Sequence, residues 1–555
     1  MVAASRETVV IPSEEESIWE KHWLPWLSAG GICVALTIDL WRERTGGHRA
    51  DLLDLVGSLI IVATTVAFGW FSARFLTSDR DRRGLIALIS GLWGVTFNTV
   101  RVTTATITPP ALTNRFVIAI LWTVLCVVVI WALSLGRTRV AVATRVVTFS
   151  ALFLLIRDSV LTLPAYFEKS IADTPVDKRD GKTPDVFVII LDKYTSGAWM
   201  RRTYRVDTRP FEDSLRALGF VVPRAARANY SQTPYALASF LNWRYVDDSG
   251  KARNVVFDEV LQQIDHARVW NEFRTRGYRI VAFPTQFVGT SGFSEASREL
   301  RWPGFSRSPF GRTWLLNSPL ARFISVHCDE PPCPNMTPMP YNIETVHEIE
   351  WKFATLASLP DSAGPVFAFL HVLSPHEPYQ FNSDCSIRDA WWPLTDQGTD
   401  FAAIGKAYGD QVKCLNRLVL ATVRTIIRRS KVMPVIIITG DHGQGRIAVN
   451  HLRGISLTLD EATPEQIGEH LGIFAAYLFP GADTTVYADI SPVNVVPLVL
   501  NSLFGEGLPL QPDHSYWASW QDPTVKTEIP ANETRPPGTL TPLDTTKHLP
   551  TNQVH

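Results

Sequence analysis

The run VIIITGDHGQG, residues 435–445, decides the fold. Val435 to Thr439 are all β-branched, and their apolar character is continuous rather than alternating. That is the mark of a strand buried on both faces, as in a parallel sheet. The strand then breaks at Gly440, and Asp441-His442 follow between two glycines. In open α/β sheets the chemistry sits just past the carboxyl ends of the strands. An adjacent Asp-His at such a place is more specific than a lone acid, which is usually a turn or cap residue.

Working outward, four further short runs have the same character: Val186–Leu191 (VFVIIL), Tyr278–Phe283 (YRIVAF), Val366–Leu370 (VFAFL) and Ile473–Phe479 (IFAAYLF). Long amphipathic stretches such as Ala402–Arg429 lie between them. Strand alternating with helix predicts an α/β domain. The first strand ends in Asp192-Lys193, and the 366–370 strand runs into His371 and then His376. Asp192, Asp441, His442 and the histidines thus reach one edge, a donor set suited to zinc or manganese. Thr233, in NYSQTPYALAS, precedes Pro234 and an apolar helical run. Thr before Pro at a helix start reads as an N-cap. The same hydroxyl, in the positive field of a helix N-terminus and beside a cation, can also be read as a nucleophile. Both readings stay open at this stage.

The first 163 residues differ in kind. Leu55–Ala73 and Phe116–Gly136 are uncharged runs of 19 and 21 residues, the length that crosses a bilayer. Gly84–Val100, Trp23–Ile38 and Val146–Leu163 are shorter or interrupted, the last by Arg157 and Asp158. About five α-helical transmembrane spans are expected. Basic loops at Arg74–Arg83 and Arg137–Arg145 favour the N-terminus inside and the C-terminus outside; Arg42, Arg44 and Arg49 oppose it. The acidic, polar first residues do not read as a removable signal peptide. With 53 basic and 54 acidic residues the chain is near neutral, which argues against a nucleic-acid partner. The expected organisation is a membrane domain at 1–163, a polar linker at 164–184, a catalytic domain at 185–526 and a disordered Thr- and Pro-rich tail at 527–555. Four cysteines lie in the soluble half, and Cys328–Cys333 with Cys385–Cys414 is one of three connectivities. Disulfides require a compartment outside the cytoplasm.

The motifs VFVIILDKY, NYSQTPYALASFLN, HVLSPHEPY, AYGDQVKCLN, IIITGDHGQG and ISPVNVVPLVLNSLFG, in that order, resemble membrane-anchored sulfatase-like hydrolases and transferases of the alkaline phosphatase superfamily. The resemblance spans about residues 184–525. It implies an alkaline-phosphatase-like sandwich whose mostly parallel sheet is flanked by helices. It implies one divalent metal held by Asp192, Thr233, Asp441 and His442, with Thr233 as nucleophile. His376 would act in catalysis, and His371 and Lys193 would face the substrate phosphate. His451 fits a second metal poorly, and His514 has no assigned role. The resemblance further implies a membrane lipid as donor, a glycan or lipid as acceptor, and an inner-membrane protein whose catalytic domain is periplasmic or extracellular. The sequence departs from true sulfatases, which need C/S-x-P-x-R where this chain reads SQTPYAL. Sulfate-ester hydrolysis is therefore not expected. Phosphodiester hydrolysis and an inactive envelope scaffold are the competing readings.

Overall fold

The computed structural model describes residues 30–38, 52–95, 123–131, 183–246, 253–302, 340–361, 364–388, 401–444, 459, 462–518 and 526–536. They fall into two compact units, residues 30–131 and residues 183–536. The expected boundary near residue 163, Val146–Leu163, Cys328, Cys333 and His451 lie outside the described residues.

In the first unit, helix α1 (Leu52–Ser72) covers most of the longest charge-free run before residue 100, and α2 (Arg80–Val95) covers much of the next. Residues 30–38 and 123–131 are also helical. Cys33, Val62, Val66, Trp70, Ala87 and Leu88 pack together. Val56, Ile60, Phe68 and Phe71 of α1 are instead half or more exposed, as are Val124, Leu125, Val127 and Trp131. Only some α1 side chains are described. Among the described residues no helix is long and apolar enough to cross a membrane.

The second unit is built on a six-stranded sheet of order β3-β2-β4-β1-β5-β6. Its strands are β1 (Val186–Leu191), β2 (Arg279–Phe283), β3 (Arg298–Glu299), β4 (Val366–Val372), β5 (Val435–Gly440) and β6 (Ala475–Leu478). β1, β4 and β5 are buried along their whole length, which is why their sequences do not alternate. β2, β4, β1 and β5 run parallel, while β6 pairs antiparallel to β5 and closes the edge. Two apolar cores cover the two faces. One includes α3 (Thr233–Asn242); the other includes α4 (Pro340–Ser358) and α5 (Phe401–Arg429). α6 (Pro464–Leu471) leads into β6 and carries a complete capping box, Thr463 with Gln466.

Residues 527–536 of the expected disordered tail are ordered, and residues 537–555 lie outside the described residues. β7 (Tyr516–Ala518) pairs with β8 (Lys526–Glu528). Ile529 is buried, Trp199 Nε1 donates to the Thr534 carbonyl, and Arg535 pairs with Asp489. Apolar Ile529 and the indole bond give this segment a docking surface that its Thr- and Pro-rich composition conceals.

Cys385 and Cys414 form a disulfide across 29 residues, tying the chain beyond β4 to α5. Reduction is expected to cost about 3 to 4 kcal/mol by loop entropy. Denaturation midpoints with and without reductant check this, and equal midpoints would contradict it.

Candidate active site

The register of the sheet assembles the site. Leu191 of β1 lies opposite Gly440 of β5 and Val372 of β4. Asp192 and Asp441, each one residue further on, therefore emerge side by side. Asp192 N–H continues the ladder to the Val372 carbonyl at 3.0 Å. The chain then turns through Lys193 at φ 62°, a left-handed conformation that costs a non-glycine residue about 1 kcal/mol. Tyr408 holds that turn, donating its hydroxyl to the Lys193 carbonyl at 2.7 Å and accepting the Thr195 N–H at 3.1 Å. Lys193 N–H donates to Asp441 Oδ1 at 3.0 Å, and His442 N–H does so at 2.7 Å. The flanking glycines are needed for close approach. A Cβ on Gly440 would stand 2.7 Å from the Tyr194 carbonyl, and one on Gly443 would stand 2.2 Å from that of Glu469.

Asp192, Asp441 and His442 are buried, and one ligand atom from each lies within 4.8 Å of the others. His442 Nε2 is 3.5 Å from Asp441 Oδ2 and 3.9 Å from Asp192 Oδ1. Thr233 Oγ1 is 3.2 Å from the same nitrogen. The tautomer follows from the other ring atom. His442 Nδ1 faces the Gly443 carbonyl at 3.0 Å, and a carbonyl only accepts, so Nδ1 carries the hydrogen. Nε2 is left as a lone pair aimed into the cluster, the usual arrangement of a ligating histidine fixed by a carbonyl behind it.

Thr233 is the first residue of α3, but it is not the cap. Gln232 takes that position, and its side chain instead donates to the Ala518 carbonyl. The Thr233 hydroxyl is thus spared from capping and faces His442.

The donor set fits a divalent cation. Asp192 Oδ1 and Asp441 Oδ2 are buried and make no hydrogen bond among the described residues. Two uncompensated carboxylate oxygens in a buried site are costly unless a positive charge sits between them. Burial first, and the Asp441 charge second, hold the Asp192 carboxyl well above the usual range, against the pull of Lys193. A cation would remove that conflict.

The remaining expected residues are placed differently. His371 is fully buried, with Nε2 3.9 Å from Asp192 Oδ2. His376 stands beside the cluster, its N–H on the Asp192 carbonyl and its side chain one-third exposed. The Lys193 ammonium is taken up by Glu377 Oε1 at 2.8 Å, both side chains being nearly buried. Lys193 thus meets a carboxylate within the fold, and Glu377 is a site residue that sequence reading missed inside the quoted HVLSPHEPY. Burial alone would raise the Glu377 carboxyl, but His376 and Lys193 together hold it well below its ordinary value. His470 was also missed: its ring lies on that of His442 at 4.5 Å, and Nε2 donates to the Ser231 carbonyl at 2.7 Å. Its place in a capped helical segment, PEQIGEHL, gave no sign of this. His514 pairs with Glu528 and is no part of the cluster.

Two predictions arise here. Lys193→Met strands a buried Glu377 carboxylate and should destabilise the protein by about 3 to 5 kcal/mol. Adding Glu377→Gln should recover much of the loss, and chemical denaturation of the single and double variants checks this. The second concerns pH. Burial pushes His371 down to about 4, and His442 and His470 each to about 3. Unfolded histidines titrate near 6.5, so below that pH the unfolded chain binds protons that the folded chain refuses. Stability is complete above about pH 6.5 and is lost as pH falls toward about 4. Denaturation midpoints flat from pH 8 to pH 4 would contradict the burial of neutral rings.

No protein-family model and no curated relative matches the chain. Solved structures do. The zinc complex of the C-terminal periplasmic domain of EptC from Escherichia coli is 13% identical, with TM-score 0.39, over 65% of this chain and 96% of that one. The integral membrane protein lipooligosaccharide phosphoethanolamine transferase A from Neisseria meningitidis is 13% identical, with TM-score 0.36, over 86% and 95%. The phosphonate monoester hydrolase of Agrobacterium radiobacter is 14% identical, with TM-score 0.38, over 60% and 80%.

Proposed function

We propose that residues 185–526 form a metal-dependent phosphotransferase. It moves a phospholipid headgroup, phosphoethanolamine or phosphoglycerol, to a glycan or lipid acceptor of the cell envelope through a phospho-threonine at Thr233. One observation carries the reading: two buried carboxylates with uncompensated oxygens gather around His442 Nε2, and that nitrogen lies 3.2 Å from the hydroxyl at the start of α3. Asp192, Asp441, His442 and Thr233 would hold the cation. Zinc or manganese there supplies charge neutralisation and a lowered hydroxyl pKa.

Thr233 Oγ1, having given up its proton to water, attacks the headgroup phosphorus. The bond from phosphorus to the diacylglycerol oxygen breaks, and that oxygen takes a proton. An acceptor hydroxyl then attacks the same phosphorus, loses its proton and restores the Thr233 oxygen. His376 Nδ1 is 2.6 Å from the Glu377 carbonyl and so carries a hydrogen there. Its Nε2 is the nitrogen left to exchange protons with the leaving and entering oxygens.

Residues 1–163 would keep this site at the bilayer where the lipid donor resides. The charge-free runs and the exposed apolar side chains of α1 support that placement. The Cys385–Cys414 disulfide supports a catalytic domain outside the cytoplasm.

The test is diacylglycerol release from mixed phospholipid vesicles by the full-length protein with manganese or zinc. Release that rises with added glycan or lipid acceptor supports transfer. Release at one rate whatever the acceptor would assign hydrolysis, with water in the second step. No release under any metal would favour the scaffold.

A further inference from the structure

Beside the carboxylates runs a column of three buried side chains to which the reaction above gives no task. His371 Nδ1 is 3.1 Å from Thr290 Oγ1, which is 2.6 Å from Thr285 Oγ1. Thr285 Oγ1 in turn accepts the Phe287 N–H at 3.0 Å. All three side chains belong to buried residues. The backbone fixes their spacing, since Thr285 N–H donates to the Thr290 carbonyl at 2.7 Å and Thr290 N–H to that of Phe287 at 2.9 Å.

Two hydrogen arrangements are compatible with these distances. In the first, Thr285 donates to Thr290, Thr290 donates to His371 Nδ1, and the imidazole hydrogen sits on Nε2. Both hydroxyl hydrogens then have an acceptor. In the second, Nδ1–H donates to Thr290 and Thr290 donates to Thr285. The Thr285 hydroxyl hydrogen is then left without an acceptor among the described residues, in a place that water does not reach. Nε2 has no hydrogen-bond partner in either arrangement, so the second leaves one buried group more unpaired than the first. The second arrangement also turns the Nε2 lone pair toward Asp192 Oδ2, 3.9 Å away, whereas the first turns an N–H toward it. Both considerations select the first.

We infer that Thr285 and Thr290 are positioning residues that hold His371 as its Nε2–H tautomer, so that it offers a hydrogen-bond donor to a non-bridging oxygen of the group transferred at Thr233. The substrate part of this inference rests on the phosphotransferase reading; the tautomer does not. His371 Nε2 is buried and has no hydrogen-bond partner among the described residues. A nitrogen that carries hydrogen cannot ligate a cation. His371 is therefore a donor to substrate and not a ligand of a second ion.

The first readout needs no turnover. Full-length protein labelled with 15N-histidine is examined by solid-state NMR, with the His371 signals identified by their loss in His371→Gln. The expected spectrum has Nε2 protonated and Nδ1 bare, retained in Thr290→Ser and lost or mixed in Thr290→Val. A protonated Nδ1 in the wild type overturns the inference, whatever reaction the protein catalyses. The second readout is steady-state transfer. Thr290→Val should lower kcat on the order of 10- to 100-fold, with KM for the lipid donor and bound metal little changed, and Thr290→Ser should restore the rate. Equal losses in Thr290→Val and Thr290→Ser, or a loss of bound metal in Thr290→Val, would overturn it. The expected spectrum with no transfer in the wild type would leave the tautomer standing and remove the phosphotransferase reading.

Discussion

Thr233→Ala should lower headgroup transfer by about four to six orders of magnitude, the range seen when a covalent nucleophile is removed. The hydroxyl is buried at the first residue of α3, and its hydrogen-bond partner is the lone pair of His442 Nε2. The substitution removes the hydroxyl and the γ-methyl and leaves Pro234, the Gln232 cap and the rest of α3 in place. Folding should therefore survive, and circular dichroism with thermal unfolding serves as the control. The direct readout is mass spectrometry of the peptide containing residue 233 after incubation with mixed phospholipids and manganese or zinc. The wild-type peptide should gain a phosphoethanolamine or phosphoglycerol group, and the alanine peptide should not. An alanine variant that retains the wild-type rate would dismiss Thr233 as nucleophile.

Asp441→Asn should abolish metal binding and, in the metal-free state, stabilise the fold. The first half follows from the loss of a charged ligand. Metal content should fall from one ion per chain toward none, with transfer reduced by more than about 10²-fold. The second half follows from the geometry. Asp441 Oδ1 accepts from Lys193 N–H and His442 N–H, and an asparagine oxygen can accept both. What the substitution removes is the charge on a buried oxygen, Oδ2, that makes no hydrogen bond among the described residues and that presses on Asp192. The gain should be about 1 to 3 kcal/mol in the metal-free protein. Unfolding with and without chelator measures both effects. A metal-free asparagine variant less stable than the wild type would show that the two carboxylates are not in conflict.

Much of the catalytic unit was legible because its signals are local. β1, β4 and β5 each carry a continuous, mostly apolar run rich in β-branched or aromatic residues, and Asp192 and Asp441 lie directly past the ends of β1 and β5. The antiparallel direction of β6 was not legible, because IFAAYLF reads the same whether its neighbour runs with it or against it. Glu377 stood within a quoted motif, but its partnership with Lys193 depends on two loops meeting that are far apart in sequence. His470 is hidden for a similar reason, since only α6 packing back over the site brings its ring onto His442. The Thr233 hydroxyl had two sequence readings, cap or reactive group, and Gln232 at the cap position removes the first. The segment around Ile529 looked like free tail because one apolar residue among threonines and prolines carries no periodicity.

β1 lies in the middle of the sheet, yet its neighbours arrive late: Lys193 and Asp441, joined by a hydrogen bond, are 248 positions apart. A chain emerging from the ribosome or a translocation channel carries Asp192 and Thr233 long before it carries Asp441 and His442. No chain that ends before His442 has the complete cluster, so an ion met early finds only scattered single donors. Capture of a cation by this cluster would thereby wait until β5 has paired beside β1, and a product truncated before Asp441 would lack two of the three buried donors.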